Sequence, residues 1–137
     1  MTRHIPACHI FLLACLLTVA MPLYAQEPSA AREEQWEGQW IAEGTLFQIQ
    51  VAVDGGKLQI SEVESLGFVW RAEPGEIKGN IARIPIEYAG VNGIIEAELL
   101  DANTAVAHAA SCLPDFMVVC ALARDRQAIF RKLGDED

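Results

Sequence analysis

The sequence predicts an all-β domain, an antiparallel meander of about eight strands that forms a small barrel or sandwich. Three observations carry that expectation. Apolar and polar residues alternate with period two from Gly38 onward. Short clusters of Gly, Asn, Asp and Pro break the alternation repeatedly. The chain left after an N-terminal export segment, about 112 residues, is enough for one core and too little for two.

That export segment, residues 1–25, has the layout of a secretory signal peptide: Arg3, an apolar run from Ile10 to Met21, then Pro22-Leu23-Tyr24-Ala25 before charge begins. Cleavage after Ala25 gives a periplasmic or secreted chain beginning at Gln26. Two other readings compete for the segment. Leu12-Leu13-Ala14-Cys15 looks like a bacterial lipobox, in which Cys15 carries lipid and tethers the protein to a membrane. A retained helix would run from Ile5 to Leu23, shortened by Pro6, His9 and Pro22. Removal of residues 1–25 takes away one cation and no acid, so nine Lys and Arg face nineteen Asp and Glu, a net charge of −10. Such a surface repels nucleic acid and anionic lipid and tolerates cationic partners.

Residues 26–37 are polar, a tether or a short helix started by Pro28-Ser29 and ended by Gly38. Residues 38–133 form the single β domain. In it Phe47, Ile49, Val51 and Val53 alternate with Gln48, Gln50 and Ala52, and Asp54-Gly55-Gly56 turns the chain into Leu58 and Ile60. Phe68-Val69-Trp70 follows, then a Glu73-Pro74-Gly75 turn. Ile77 to Tyr88 reads as one long strand that Pro85 bends or places at an edge. Ala89-Gly90-Val91-Asn92-Gly93 turns into Ile94 to Leu100, and Asp101-Ala102-Asn103 into Thr104 to Ala110. Phe116 to Ala123 and Gln127 to Leu133 complete the set as strands on either side of Arg124-Asp125-Arg126. Residues 121–133 also hold helix formers, with Leu122, Ile129, Phe130 and Leu133 on one helical face, so a terminal helix on a seven-stranded sheet is the alternative. Residues 134–137 form an acidic tail.

Cys8 and Cys15 leave with the signal, and Cys112 and Cys120 remain. In an oxidising compartment that pair predicts one disulfide, tying two arms of a hairpin or wide turn around Pro114-Asp115. The spacing is not C-x-x-C and His108 is the only histidine after the signal, so a zinc site lacks a fourth strong ligand. Gly90-Val91-Asn92-Gly93 precedes a strand, where a phosphate cradle needs a helix. No metal and no cofactor is expected.

At the opening of the first strand, Gly38-Gln39-Trp40 resembles the G-x-W signature of lipocalins and their smaller calycin relatives, among them avidins and bacterial metalloprotease inhibitors. The resemblance implies a barrel in which Trp40 closes one end beneath a basic side chain of the last strand, with Arg131 at the matching position. It carries over no ligand residue.

The residues offer little to a catalyst. Glu62 and Glu64, and Glu96 and Glu98, stand two apart and so share a strand face, the arrangement a carboxylate pair in a hydrolase needs; alternating acids are equally the wet outer face of a sheet. Ser111 follows His108 by three residues, which puts them on opposite faces of a continuous strand. No catalytic residue is assigned. The small side chains Ala105, Ala107, Ala109 and Ala110 leave volume for a cavity or for close sheet packing. Trp40, Trp70, Phe68, Tyr88 and His108 are the candidate ligand-binding residues, with Trp36 a further aromatic for such a space. Aromatics at strand spacing are first of all core, and His108, sharing a face with Val106 and Ala110, is first a hydrogen-bonded core or rim residue. The expectation is an exported, non-enzymatic binding module for a small apolar ligand or a cell-envelope component. The alternative is a periplasmic inhibitor or protein-interaction factor acting through the loops Glu73 to Glu76 or Leu113 to Phe116, with a hydrolase third.

Overall fold

A computed structural model describes residues 29–134. The signal segment, its cut, the Cys15 alternative and the tail from residue 135 lie outside the described residues. Helix α1 (Ser29–Glu34) leads into β1 (Gly38–Ala42), β2 (Gln48–Asp54), β3 (Lys57–Glu64), β4 (Trp70–Ala72), β5 (Gly75–Lys78), β6 (Ile81–Tyr88), β7 (Val91–Asp101) and β8 (Thr104–Leu113); α2 (Val118–Ala123) and β9 (Gln127–Lys132) follow. Strands β1, β2, β3, β5, β6, β7, β8 and β9 pair antiparallel in that order and β9 returns to β1, closing an eight-stranded barrel with β4 as an extra strand.

Period two builds this wall. Trp40, Val51, Leu58, Ile84, Ala97, Leu99 and Ala105 point inward from their strands and meet as the core, each buried large side chain stabilising by about 1.5–3 kcal/mol. The Gly55-Gly56 hairpin forms as expected, with both residues at positive φ and Asp54 opposite Lys57.

Strands β4 and β5 both pair with β6 and run the same way, one lane of the barrel interrupted at Glu73-Pro74. Pro85 lies opposite the interruption. Its carbonyl accepts the Glu73 N–H at 3.0 Å, and its ring nitrogen, which carries no proton, returns no bond at the break. On the other side, β3 meets this lane only through Lys57 opposite Glu76 and Leu58 opposite Gly75, so residues 59–64 pair on the β2 side alone.

Four sequence expectations are corrected. Ile77 to Tyr88 is two strands, because Gly79, at φ +65°, turns the chain with Asn80. The turn after β6 is Ala89-Gly90 alone, both at positive φ, and Gly93 belongs to β7. A Cβ on Gly93 would stand 2.6 Å from the Ser111 carbonyl oxygen, so the glycine serves close approach of β7 and β8. The segment before Arg124 contains the helix α2, capped by Arg124 N–H on the Cys120 carbonyl at 3.1 Å, while the segment after it is a strand. The disulfide explains the departure from local β propensity. Cys112 ends a strand, Cys120 sits in α2, and their bond, with Cα atoms 5.4 Å apart, staples helix to strand where the arms of a hairpin or wide turn were expected.

Candidate functional site

The two ends of the barrel differ. At one, the chain arriving from α1 lays Trp36 across the opening beside Trp40, which is 2% exposed and donates its Nε1–H to the Trp36 carbonyl at 2.9 Å. The cation above Trp40 is Lys132, with Nζ 5.0 Å from a ring centroid and also donating to the Gln35 carbonyl. The resemblance pointed to Arg131, and the register shows why that position is wrong. Lys132 lies opposite Trp40, while Arg131 lies opposite Ile41, one residue on and therefore on the outer face. There it donates Nε to Glu43 at 2.7 Å and Nη1 to Thr104 Oγ1 at 2.8 Å.

Above this floor the barrel holds a cavity of about 530 Å³. Its walls are aliphatic, from Ile49, Val51, Ile60, Ile84 and Ile86, and one side is Ala105, Ala107 and Ala109 of β8, whose missing volume the cavity occupies. Aromatic rings collar the far end. Phe47 stands 6.1 Å from Trp70 and 6.4 Å from Phe130, and Phe68 meets Tyr88 edge-on at 5.9 Å. Beyond them the loops after β1 and β3 and the α2 segment expose Leu46, Leu66, Val69, Phe116, Val118 and Leu122; Val69 is 86% and Phe116 80% exposed. The mouth is thus rimmed by apolar side chains in a chain that is otherwise strongly acidic.

Trp40, Trp70, Phe68, Tyr88 and His108 all border this one cavity, Trp40 at the floor and the others toward the mouth. His108 differs from the rest. Ala105, Ala107 and Ala109 alternate inward, so its imidazole belongs to the outer face, opposite Glu96 and Gln127 in the ladders. The sequence reading missed Arg126 and Gln127, which border the mouth; both follow the α2 turn that was read as a break between strands. The residues of the lining with polar side chains are Tyr88, His108, Arg126, Gln127 and the three tryptophans, and of these His108 turns its imidazole to the outer face. Of the three indoles, Trp36 and Trp70 have buried Nε1 atoms with no hydrogen-bond partner among the described residues.

The carboxylate pairs do not converge. A bulge in β3 sets Glu62 opposite inward Ile49 and Glu64 opposite outward Gln48, so the expected common face is lost. Glu96 pairs with Arg83 at 3.4 Å, and Glu98 accepts from Asn80 Nδ2 at 3.1 Å, both on the outer wall. A second bulge, at Ala110, brings Ser111 round to the outer face that His108 occupies, contrary to continuous alternation; its Oγ accepts the Ile94 N–H at 3.1 Å. Glu73 to Glu76 is built into the β4–β5 lane and does not protrude. Among the described residues no His, Cys, Asp or Glu cluster could hold a metal ion.

Neither protein-family models, nor curated proteins, nor solved structures give a match to this chain. The closed eight-stranded wall is consistent with a small calycin-like barrel on architecture alone. The disulfide is compatible with a location outside the cytoplasm, and no helix among the described residues is long and apolar enough to cross a membrane.

Proposed function

We propose that this chain is an exported, non-enzymatic binding module whose barrel holds a small apolar ligand or a cell-envelope component. The cavity carries the reading. At about 530 Å³ it falls within the range of small-molecule sites, its walls are aliphatic and aromatic, and its polar side chains gather mostly at one end. A void of that size in a domain of one core is costly unless something fills it, since cavity surface forfeits packing. The test is titration of the protein, beginning at Gln26, with the apolar fluorophore N-phenyl-1-naphthylamine. One saturable site with micromolar affinity supports the reading, and linear, unsaturable fluorescence refutes it.

A second reading, a protein-directed inhibitor or interaction factor, is favoured by one observation: Leu113, Phe116, Val118 and Leu122 stand exposed together around the stapled α2. Phe116→Asp separates the two, because it alters this loop and leaves the interior lining intact. Fluorophore affinity unchanged in that variant places the site inside the barrel.

A further inference from the structure

We infer that Arg126 is the head-group site of the barrel: the ligand is an amphiphile whose hydrocarbon body fills the cavity and whose carboxylate meets the Arg126 guanidinium at the mouth. The inference rests on the reading of the barrel as an apolar-ligand module and names the chemistry of what it holds.

Arg126 reaches the cavity through the pleat of β9. Ala128 and Phe130 line the interior and Lys132 covers Trp40, so Arg126, Ala128, Phe130 and Lys132 follow one another on the inner face. A cation therefore stands at each end of that face. Lys132, at the floor, is engaged with the Trp40 ring and the Gln35 carbonyl. Elsewhere Lys57, Arg71, Arg83 and Arg131 each pair with a glutamate. Arg126 is different: it is exposed at the mouth, and its side chain makes no hydrogen bond or ion pair among the described residues, not even with its neighbour Asp125.

Charge sets the class. Among the described residues no carboxylate lines the cavity, and Arg126 is the one fully charged residue that does. One cation at the open end of an apolar space matches one negative charge on a hydrocarbon body. The chain of such a ligand buries its surface against Ile49, Ile60 and Phe130, while its head keeps both water and a countercharge. The planar guanidinium offers two parallel N–H donors, which fit the two oxygens of a carboxylate. An ammonium head would meet like charge there, and a hydroxyl head would lack the charge on the acceptor that strengthens the bond. After loss of residues 1–25 the protein carries a net charge of −10, so its overall field opposes an anion, and a preference for one reads Arg126 itself.

The experiment is competition of dodecanoate, 1-dodecanol and dodecylammonium against N-phenyl-1-naphthylamine at neutral pH, in the parent, Arg126→Gln and Arg124→Gln proteins. In the parent, dodecanoate should bind at least about fivefold more tightly than dodecanol, and dodecylammonium more weakly than dodecanol. Arg126→Gln should bring dodecanoate to within about twofold of dodecanol while leaving dodecanol affinity in place; because the ratio is taken within one protein, a change in stability cancels. Arg124→Gln removes the same charge two residues away and outside the lining, and should keep the parent ratio. In the parent, the ¹H–¹⁵N signal of Arg126 Nε should move on adding dodecanoate and not dodecanol. Equal affinities for dodecanoate and dodecanol, tighter binding of dodecylammonium, a ratio unchanged in Arg126→Gln, or a ratio lost equally in Arg124→Gln would overturn the inference and leave the apolar-ligand reading standing. Absence of saturable binding by every probe removes both.

Discussion

Replacing Trp40 by alanine removes the side chain on which the closed end of the barrel is assembled. The ring is 2% exposed, its Nε1 bonds the Trp36 carbonyl at 2.9 Å, and Lys132 lies over its face. Truncation of a buried aromatic of this kind costs about 3–5 kcal/mol. Within that loss the hydrogen bond contributes about 1 kcal/mol and the cation over the ring about 0.5–1 kcal/mol. A small domain holds only about 5–15 kcal/mol in all, so the variant loses a large share of its stability. Trp40→Phe keeps the ring position and forfeits the indole donor, for an expected loss of about 1–2 kcal/mol. Urea denaturation followed by circular dichroism measures both. A double-mutant cycle with Lys132→Met should show coupling to Trp40, and one with Arg131→Met should show none, since the register puts Arg131 on the other face. A Trp40→Ala loss below about 1 kcal/mol, or coupling to Arg131 in place of Lys132, would refute this account of the closed end.

Ala107→Leu places a larger side chain in free volume, so fluorophore binding should weaken at least about tenfold while stability changes by less than about 1 kcal/mol; a stability loss with affinity intact would mean that β8 packs against a filled core. Reduction of the Cys112–Cys120 bond, or its removal by Cys112→Ser with Cys120→Ser, should cost about 2–3 kcal/mol in the urea transition and raise hydrogen exchange across residues 113–126, with exchange in β2 unchanged. Asp101 accepts the Asn103 N–H at 2.8 Å, which favours its charged form and holds its carboxyl below the ordinary value of 3.8. The contribution is therefore fully present above that value and is lost as pH falls through the lowered one; an NMR titration midpoint at or above 3.8 would show that the turn bond does not form in solution.

The antiparallel meander was legible because its cause is local, whereas the choice of barrel over sandwich is made by the β1–β9 pairing. Ile49, Val51 and Val53 against Gln48, Gln50 and Ala52 state a strand with one wet face, and Gly55-Gly56 states its turn. Trp40, Trp70 and Tyr88 were legible as aromatics of strands, and Phe68, 50% exposed in the loop before β4, joins them at the cavity through its contact with Tyr88. What failed depended on register or covalent ties. The choice between Arg131 and Lys132 is a shift of one residue in the β1–β9 pairing, which no local pattern encodes. The bulges at Val63 and Ala110 regroup Glu62, Glu64, His108 and Ser111 by inserting one residue each. Helix α2 runs against the β-branched Val118 and Val119 because the Cys120 bond and the turn at Met117 hold it there. Its assignment as a strand concealed the approach of Arg126 to the mouth.

A barrel closed all the way round has no strand edge to offer, and the interrupted lane gives this one a seam. Along residues 59–64 of β3 the side away from β2 makes no ladder pairing among the described residues, which invites the strand of another molecule. The seam is guarded in the manner of natural edge strands: it is short, Val63 kinks it, and Glu62 and Glu64 bring like charges together whenever two copies approach edge to edge. Glu62→Gln with Glu64→Gln removes those charges, so that variant should self-associate by β3 pairing across the seam more readily than the parent.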